Sequence, residues 1–444
     1  MKGLLAVAAG AVLLLWPCAL NGYPLVFIDT ASYLWQTVVP QMTWDKTYVY
    51  GPFLHLGHWR WSLWPSAAMQ GLLLSTLLWL AGRVVLGRVS AGLHLLTCIA
   101  LAALTSLPWF AATLMPDALT GAVTLCLFLL GFGWDRLSRA ERLAVVALGT
   151  LCIAAHLSHL IQAIAVLALV LLLTRRLRPT LRAAAPLLGA LALILATNAV
   201  GHGRVSLSPY GSAFLLARLQ EDGTATQTLR ERCPEAGWLL CGQLAALPAD
   251  SDWFLWAPES PVNRDPDGTE RVMGAARLAP EASAIIAATL RDQPLAVLWD
   301  SLRNGVAQLS KAEVGDTLGS LYLDVSARIW IREGFPAAEL ARYEAGTQAR
   351  GLLPARATPF LWPHVPVLLL SVPLVLLAWW HAARRGDARR LGFVLCALVG
   401  LSANALATGA LSKPHHRYEA RIIWLLPLAA AWGLLRRPET TEKQ

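Results

Sequence analysis

Charged side chains are scarce in this chain of 444 residues, because Asp, Glu, Lys and Arg make up only 15% of it while hydrophobic residues make up 56%. A soluble fold of this size would not need such a composition. Several apolar stretches reach the roughly 20 residues with which a helix crosses about 30 Å of hydrocarbon. The sequence therefore predicts an all-α polytopic membrane protein.

Other features are also missing. Strand patterns are scarce, no internal repeat is apparent, and the chain lacks the matched broken helices common in transporters. No second pair of metal ligands accompanies the cysteines, so neither a zinc site nor a divalent metal cofactor has a clear motif. The N-terminal stretch resembles a signal peptide, but Leu-Trp-Pro before Cys18 lacks the small residues of a lipoprotein signal.

The apolar stretches predict about ten transmembrane helices. They cover residues 3–20, 66–86, 89–108, 115–133, 141–155, 158–173, 183–200, 362–381, 390–409 and 420–435.

The basic residues orient these spans. Seventeen Lys and Arg fall on one side of the membrane and five in the short loops of the other side, and the long loop is not counted. This bias predicts a bacterial inner-membrane protein with both termini cytoplasmic and a large periplasmic loop. Because the net charge of +9 lies mostly in short loops, it indicates contact with membrane lipids and no nucleic acid partner.

Residues 141–173 could form one long helix or two short ones around His156 and His159. Arg142 at the start of this stretch and Arg175 after its end both favour the cytoplasm, and that requires two crossings. We therefore expect two helices with the histidine turn outside.

Three modules follow. Residues 1–200 form an N-terminal transmembrane module of about seven helices, 201–361 a mainly helical periplasmic domain, and 362–444 a C-terminal module of about three helices. The first outer loop, 21–65, is rich in Trp and Tyr, which suits helices in the headgroup layer. In the periplasmic domain, Pro280 followed by Glu281 predicts a helix start.

Cys233 and Cys241 differ from the other five cysteines, which sit in or beside apolar spans. These two bracket a short segment of the periplasmic domain, where an oxidising compartment permits a disulfide. We expect them to be paired.

Two acidic residues are candidates for catalysis because an ionisable group beside the bilayer is costly to place. Asp29 follows the first span, and Asp117 begins the fourth span on the same outer face. The alternative for both is helix capping, because an Asp side chain can accept hydrogen bonds from the free amides of a first turn.

Basic and histidine side chains form a second group of candidates on the outer side. The last outer loop, residues 411–421, places cations against the orientation bias, as expected if they meet an anion. Phosphate is the natural partner of Lys and Arg. The alternative is contact with lipid headgroups. His156 and His159 are one turn apart, so both could face one partner. The candidates for phosphate binding are Lys413, His415, His416, Arg417, Arg421 and Arg204.

These features resemble the GT-C superfamily, the membrane glycosyltransferases that include protein O-mannosyltransferases and lipid A aminoarabinose transferases. The resemblance rests on the single span before an outer loop that opens with Asp29-Thr-Ala-Ser-Tyr33, and on Tyr48-Val-Tyr-Gly-Pro-Phe-Leu-His55. The Asp117 span entry and the late outer domain add to it. It implies that Asp29 is the base acting on the acceptor and that the donor is a polyprenyl-phosphate-linked sugar. Thr30 stands where a second acidic residue often follows in that superfamily, and this departure weakens the assignment of a metal.

The expected function is transfer of a sugar from an undecaprenyl-phosphate carrier to an extracytoplasmic acceptor. Carboxylates would abstract the proton and cations would hold the phosphate leaving group. Three other classes stay open: a transporter or flippase for a lipid-linked glycan, an envelope polymer ligase or polymerase, and a non-catalytic scaffold whose outer domain binds a partner.

Overall fold

The computed structural model describes residues 2–265, 267–271 and 273–435. Over these residues the chain is helical and contains no strand, and extended pairing is limited to two isolated bridges. The predicted all-helical fold class is confirmed. The cations Arg436, Arg437 and Lys443, which the sequence assigns to the cytoplasm, lie outside the described residues.

The N-terminal module contains eleven α-helices up to residue 202. They are α1 (Lys2–Leu14), α2 (Trp16–Asn21), α3 (Thr30–Val38), α4 (Tyr50–His58), α5 (Trp64–Leu86), α6 (Ala91–Leu104), α7 (Leu107–Ala112), α8 (Thr120–Phe132), α9 (Arg139–Ala154), α10 (Ser158–Thr174) and α11 (Leu177–His202).

The remainder of the described chain adds twelve helices. They are α12 (Ser212–Glu221), α13 (Thr224–Arg232), α14 (Ser251–Trp256), α15 (Gly274–Asp292), α16 (Pro294–Leu309), α17 (Ala327–Gly334), α18 (Ala337–Ala345), α19 (Leu353–Leu361), α20 (His364–Arg384), α21 (Ala388–Leu411), α22 (His416–Ala420) and α23 (Leu425–Leu434).

Four stretches are long and apolar enough to cross a membrane: α5, α11, the α19 to α20 run, and α21. They support a helical membrane protein. Each of the ten predicted spans coincides with a helix or with a pair of consecutive helices, several of them shorter than a full crossing. The number of crossings stays a prediction.

The histidine turn separates two helices, because α9 ends at Ala154 and α10 begins at Ser158. The start of α9 is fixed by a capping box in which Ser138 and Glu141 each accept a hydrogen bond from the other's backbone N–H. Two helices therefore occupy residues 141–173, as the basic residues at both ends of this stretch predict.

The long outer segment divides into two packing units. Helices α12 to α15 enclose a separate apolar core that includes Leu216, Phe254 and Ile285. Residues from about 318 onward instead join the main core of the molecule, and α17 packs on α3 of the first outer loop. Only the first unit has a core of its own.

One predicted boundary in this segment is wrong. Helix α15 begins at Gly274, so Pro280 lies inside it rather than at its start. The reason is that Ala275 and Leu278 are buried and extend the apolar face of the helix backwards. Pro280 removes only one backbone hydrogen-bond donor, and core packing outweighs that loss.

Candidate functional site

The first outer loop is tied to the segment before α8, and this brings Asp29 toward Asp117. The Leu25 backbone N–H donates to the Ala112 carbonyl at 3.0 Å, and the Leu25 carbonyl accepts from the Leu114 N–H at 2.8 Å. The Thr30 hydroxyl, which is buried, donates to the Leu114 carbonyl at 3.1 Å. Thr30 therefore links the two acidic segments.

Asp29 binds two cations that come from distant parts of the chain. Its carboxylate oxygens lie 3.3 Å from Lys46 Nζ and 3.2 Å from Arg417 Nη1. Burial by itself raises the pKa of this carboxyl group, but the two cations outweigh burial and hold the pKa below its ordinary value. Asp29 precedes α3 but makes no capping hydrogen bond, so the capping interpretation is wrong at this residue.

Asp117 is the buried acid of the cluster, with only 2% of its side chain exposed. It sits in a 3-10 turn, Pro116–Leu119, and does not cap it. Its Oδ1 atom lies 3.3 Å from Arg421 Nη1 and 3.7 Å from Arg417 Nε. Asp117 is thus a counter-ion, and the capping interpretation is wrong here as well.

The two arginines occupy different environments. Arg421 is fully buried, and its Nη2 donates to Ser158 Oγ at 3.0 Å and to Asn404 Oδ1 at 2.9 Å. Arg417 is 11% exposed, and its guanidinium lies 4.6 Å from the centre of the Phe27 ring. Arg421 is therefore held by the protein on several sides, whereas Arg417 lies nearer the open side of the cluster.

The paired histidines do not share one partner. His159 is buried, with Nε2 2.9 Å from the Thr120 hydroxyl and Nδ1 2.7 Å from the Cys152 carbonyl. His156 lies in the turn, where Nδ1 is 2.8 Å from Ser158 Oγ. Since the Ser158 hydroxyl also accepts a hydrogen bond from Arg421 Nη2, His156 connects to the arginine through this hydroxyl.

Tyr33 lies beside the cluster, but its hydroxyl group makes no hydrogen bond to the cluster in the described contacts. Its ring packs edge-on against Tyr50 with ring centres 4.9 Å apart, and Tyr50 donates to Gln70 at 2.5 Å. Burial raises the pKa of Tyr33 above its ordinary value and outweighs the lowering by the nearby Lys46. The Tyr33 side chain is therefore uncharged at neutral pH and lines one side of the cluster.

The first half of the last outer loop faces the outer domain instead. Lys413 pairs with Asp250 and lies 3.5 Å from Asp252, and His415 Nε2 is 3.4 Å from the same Asp252 carboxylate. His416 Nδ1 accepts a hydrogen bond from the Glu313 backbone. The structure therefore separates these three residues from the two arginines that follow them.

Arg204 does not join the cluster through any described contact. Its guanidinium lies 5.5 Å from the centre of the Tyr210 ring, and its backbone N–H donates to the Asn198 carbonyl. Cys233 and Cys241 lie in the outer domain, bonded in a disulfide with Cα atoms 5.4 Å apart.

Sequence reasoning missed Lys46 and its neighbour Asp45. Lys46 Nζ lies 2.9 Å from Asp45 and 3.3 Å from Asp29, so the lysine bridges two carboxylates. One signal was available: the first outer loop carries only four charged side chains, and Arg60 is the fourth. A Lys within a segment with so few charges indicates an ion pair with Asp29.

The complete cluster contains three carboxylates, of Asp29, Asp45 and Asp117, and three cations, of Lys46, Arg417 and Arg421. No group of three or more His, Cys, Asp or Glu side chains in the described parts of the chain could hold a metal ion. Comparisons of the chain with family models, with curated proteins and with solved structures find no match.

Proposed function

We propose that this protein is a membrane glycosyltransferase that moves a sugar from a polyprenyl-phosphate-linked donor to an acceptor on the outer side of the membrane. One observation carries the proposal. Asp29 and Asp117, from two different segments, meet Arg417 and Arg421 of the last outer loop in a single cluster beside apolar helices. The cluster offers both groups that the reaction needs.

The reaction sets the roles. The acceptor hydroxyl loses a proton as its oxygen bonds to the anomeric carbon, and the bond from that carbon to the phosphate oxygen breaks. The electron pair of that bond leaves with the polyprenyl phosphate, where cations stabilise it. Asp29 takes the proton, and Arg417 with Lys46 holds the phosphate.

The exposed fractions of the three cations indicate which of them can bind the phosphate. Lys46 and Arg417 are 16% and 11% exposed, whereas Arg421 is fully buried and already hydrogen-bonded to the protein. A phosphate can reach the first two without displacing buried groups. Arg421 is assigned to a positioning role, in which it holds Asp117.

Donor binding also activates the base. Lys46 and Arg417 hold the pKa of Asp29 below its ordinary value. A phosphate that binds these two cations draws them from the carboxylate, and the pKa of Asp29 then rises. Since a stronger base abstracts a proton more readily, the donor prepares Asp29 for the acceptor.

The test is retention of the carrier lipid. The full chain is purified in native-lipid particles, and polyprenyl phosphates in the extracted lipid are quantified by mass spectrometry. Retention should fall by about tenfold or more in Arg417→Gln, as expected for loss of at least about 1.4 kcal/mol of binding. The matched control is Arg332→Gln, because Arg332 is exposed and pairs only with its neighbour Glu333 in the described contacts. Equal retention by all three proteins, or none in the wild type, refutes the proposal.

A further inference from the structure

Helix α16 has its polar and apolar faces inverted for a helix of a water-soluble domain. It belongs to the long outer segment, yet its large hydrophobic side chains point away from the protein. The exposed residues are Leu295 at 79%, Leu298 at 55%, Trp299 at 68%, Leu302 at 46%, Val306 at 68% and Leu309 at 43%. Their spacing of three and four residues places all six on one face of the helix.

The opposite side of α16 faces the protein with polar groups. Gln308 is fully buried and exchanges two hydrogen bonds, of 2.8 and 2.9 Å, with the backbone of His415. Asn304 is also buried and donates to Asp222. The side chains that prefer water are thus inside, and those that avoid it are outside.

The neighbouring helix α15 shows the normal arrangement. Its apolar residues Leu278, Ala282 and Ile285 are buried in the core of the outer domain. The two helices follow one another in the chain, but their exposed faces differ in polarity. The contrast indicates that α15 faces water with its polar side, whereas α16 faces an apolar medium.

The apolar face of α16 is continuous with a membrane span. Gly305 packs directly on Leu406 of α21, and Gly409 of α21 packs on Asn304. Helix α21 is one of the stretches long and apolar enough to cross the bilayer. Near its outer end, Leu406 and Leu411 are 42% and 43% exposed, so they extend the same apolar surface.

We propose that α16 is a membrane-embedded helix that lies in the outer leaflet, with Leu295 to Leu309 of the apolar face in contact with lipid acyl chains. Arg303, which is 58% exposed at the edge of this face, then reaches the phosphate headgroups. The long outer segment is therefore anchored to the bilayer at its middle as well as at its ends.

This proposal is independent of the glycosyltransferase reaction. An exposed apolar face of this size marks a contact with a membrane or with another protein. The continuity with α21 favours lipid over a second copy or a protein partner. Contact with another protein and exposure to water are the outcomes that the test must separate.

Spin-label accessibility tests it on the full chain in nanodiscs of phosphatidylethanolamine and phosphatidylglycerol. Single cysteines replace Leu298 and Val306 on the apolar face and Arg303 at its edge, and Arg230, on the exposed surface of α13, serves as the aqueous control. The native free cysteines are buried, so the unsubstituted protein reports background labelling.

Labels at 298 and 306 should collide with oxygen, which concentrates in acyl chains, and should be protected from a water-soluble nickel chelate. The label at 230 should show the reverse, and the label at 303 should be intermediate. Access of the nickel chelate to both 298 and 306 would overturn the proposal, because the face would be in water. Protection from both reagents would overturn it too, since protein would cover the face. Leu295→Cys and Leu302→Cys give the same readout if either first variant fails to fold.

Discussion

Arg417 and Asp29 are 388 positions apart in the chain, yet Arg417 Nη1 lies 3.2 Å from Asp29 Oδ2. This contact joins the last outer loop to the first. The same guanidinium lies 3.7 Å from Asp117, so one side chain connects three segments. A residue in that position can respond to an incoming anion, because any phosphate that binds it competes with two carboxylates.

The two arginines of the cluster should fail in different ways. Arg417→Gln should keep the protein folded, because Arg417 is partly exposed, and should lower donor retention by about tenfold or more. Arg421→Gln removes the fully buried partner of Asp117 and should lower stability by about 3–5 kcal/mol, as when a buried pair loses one member. Thermal unfolding in detergent measures the difference.

Arg332→Gln, at an exposed position of α17, should match the wild type in both assays. The assignment of separate roles fails if Arg421→Gln unfolds at the wild-type temperature, or if Arg417→Gln proves as unstable as we expect Arg421→Gln to be.

The predicted orientation can be read with topology reporters. A reporter fused after Arg178 should be cytoplasmic and one fused after Asp250 periplasmic, because the basic residues at the start of α11 favour the cytoplasmic side. A phosphatase active only outside the cytoplasm and a fluorescent protein active only inside report the two locations. Fusions that report the same side at both sites would contradict the orientation.

The sequence predicted helices and candidate acids better than it predicted partners. Hydrophobic length located the four stretches that are long and apolar enough to cross a membrane, because burial in lipid or in the core requires such runs. It did not indicate α16, whose apolar residues are interrupted by polar ones. Asp29 and Asp117 stood out because charge is rare beside such runs. Capping looked sufficient for both because local sequence contains the first-turn amides but not the distant arginines that bind the carboxylates.

In the last outer loop, the partners of the charged side chains could not be predicted from neighbouring residues. Lys413, His415 and Arg417 are alternate residues of one short segment, so the sequence grouped them around one anion. The structure turns the first two toward Asp250 and Asp252 and the third toward Asp29. Which partner each side chain finds depends on how the outer domain docks, and no spacing in the loop contains that information.

The disulfide of the outer domain predicts a specific labelling count. The folded protein should not react with a thiol probe, because the free cysteines are buried and Cys233 and Cys241 are bonded. Denaturation without reductant should expose five thiols, and denaturation with reductant all seven. Intact mass spectrometry counts the adducts, and seven adducts without reductant would contradict the pairing.

Replacing both cysteines by serine should destabilise the outer domain by about 2–3 kcal/mol, the value expected for opening a loop this short. Because α12 to α15 have their own core, the loss should appear in the unfolding of that unit. Hydrogen exchange across the chain can separate it from the membrane helices, whose protection should not change.

The contact between the outer domain and the last outer loop should weaken in acid. A hydrogen bond with His415 is the main cause that lowers the pKa of Asp252, and Lys413 outweighs burial to lower the pKa of Asp250. A carboxyl group with a lowered pKa in the folded state adds stability above its unfolded pKa and loses it as the pH falls through the folded value. The contribution should therefore disappear below about pH 4.

Both carboxylates are more than one third exposed, so solvent screens them and the contribution should be about 1 kcal/mol or less. Hydrogen exchange of residues 412–416 between neutral and acidic pH measures it. The double variant Asp250→Asn, Asp252→Asn should show fast exchange at both pH values. Equal protection of the wild type at both would rule out this contact as the acid-sensitive element.

Replacing Asp29 by Asn should distinguish a catalytic role of this carboxylate from a structural one. Asp29→Asn keeps the shape of the side chain and removes its charge and its capacity to accept a proton. Because Asp29 is one quarter exposed and caps no helix, stability should change by about 1 kcal/mol or less. Sugar transfer should fall about 10²–10⁴-fold, the usual contribution of a general base.

Lys46→Met provides the matched comparison, because it removes the cation from the same pair and leaves the carboxylate. Transfer by this variant should fall through weaker donor binding, so a higher donor concentration should restore part of the rate. No donor concentration should restore Asp29→Asn, since the donor cannot replace the missing base. Near-normal transfer by Asp29→Asn would remove Asp29 from the mechanism and leave Asp117 as the only carboxylate of the original pair to test.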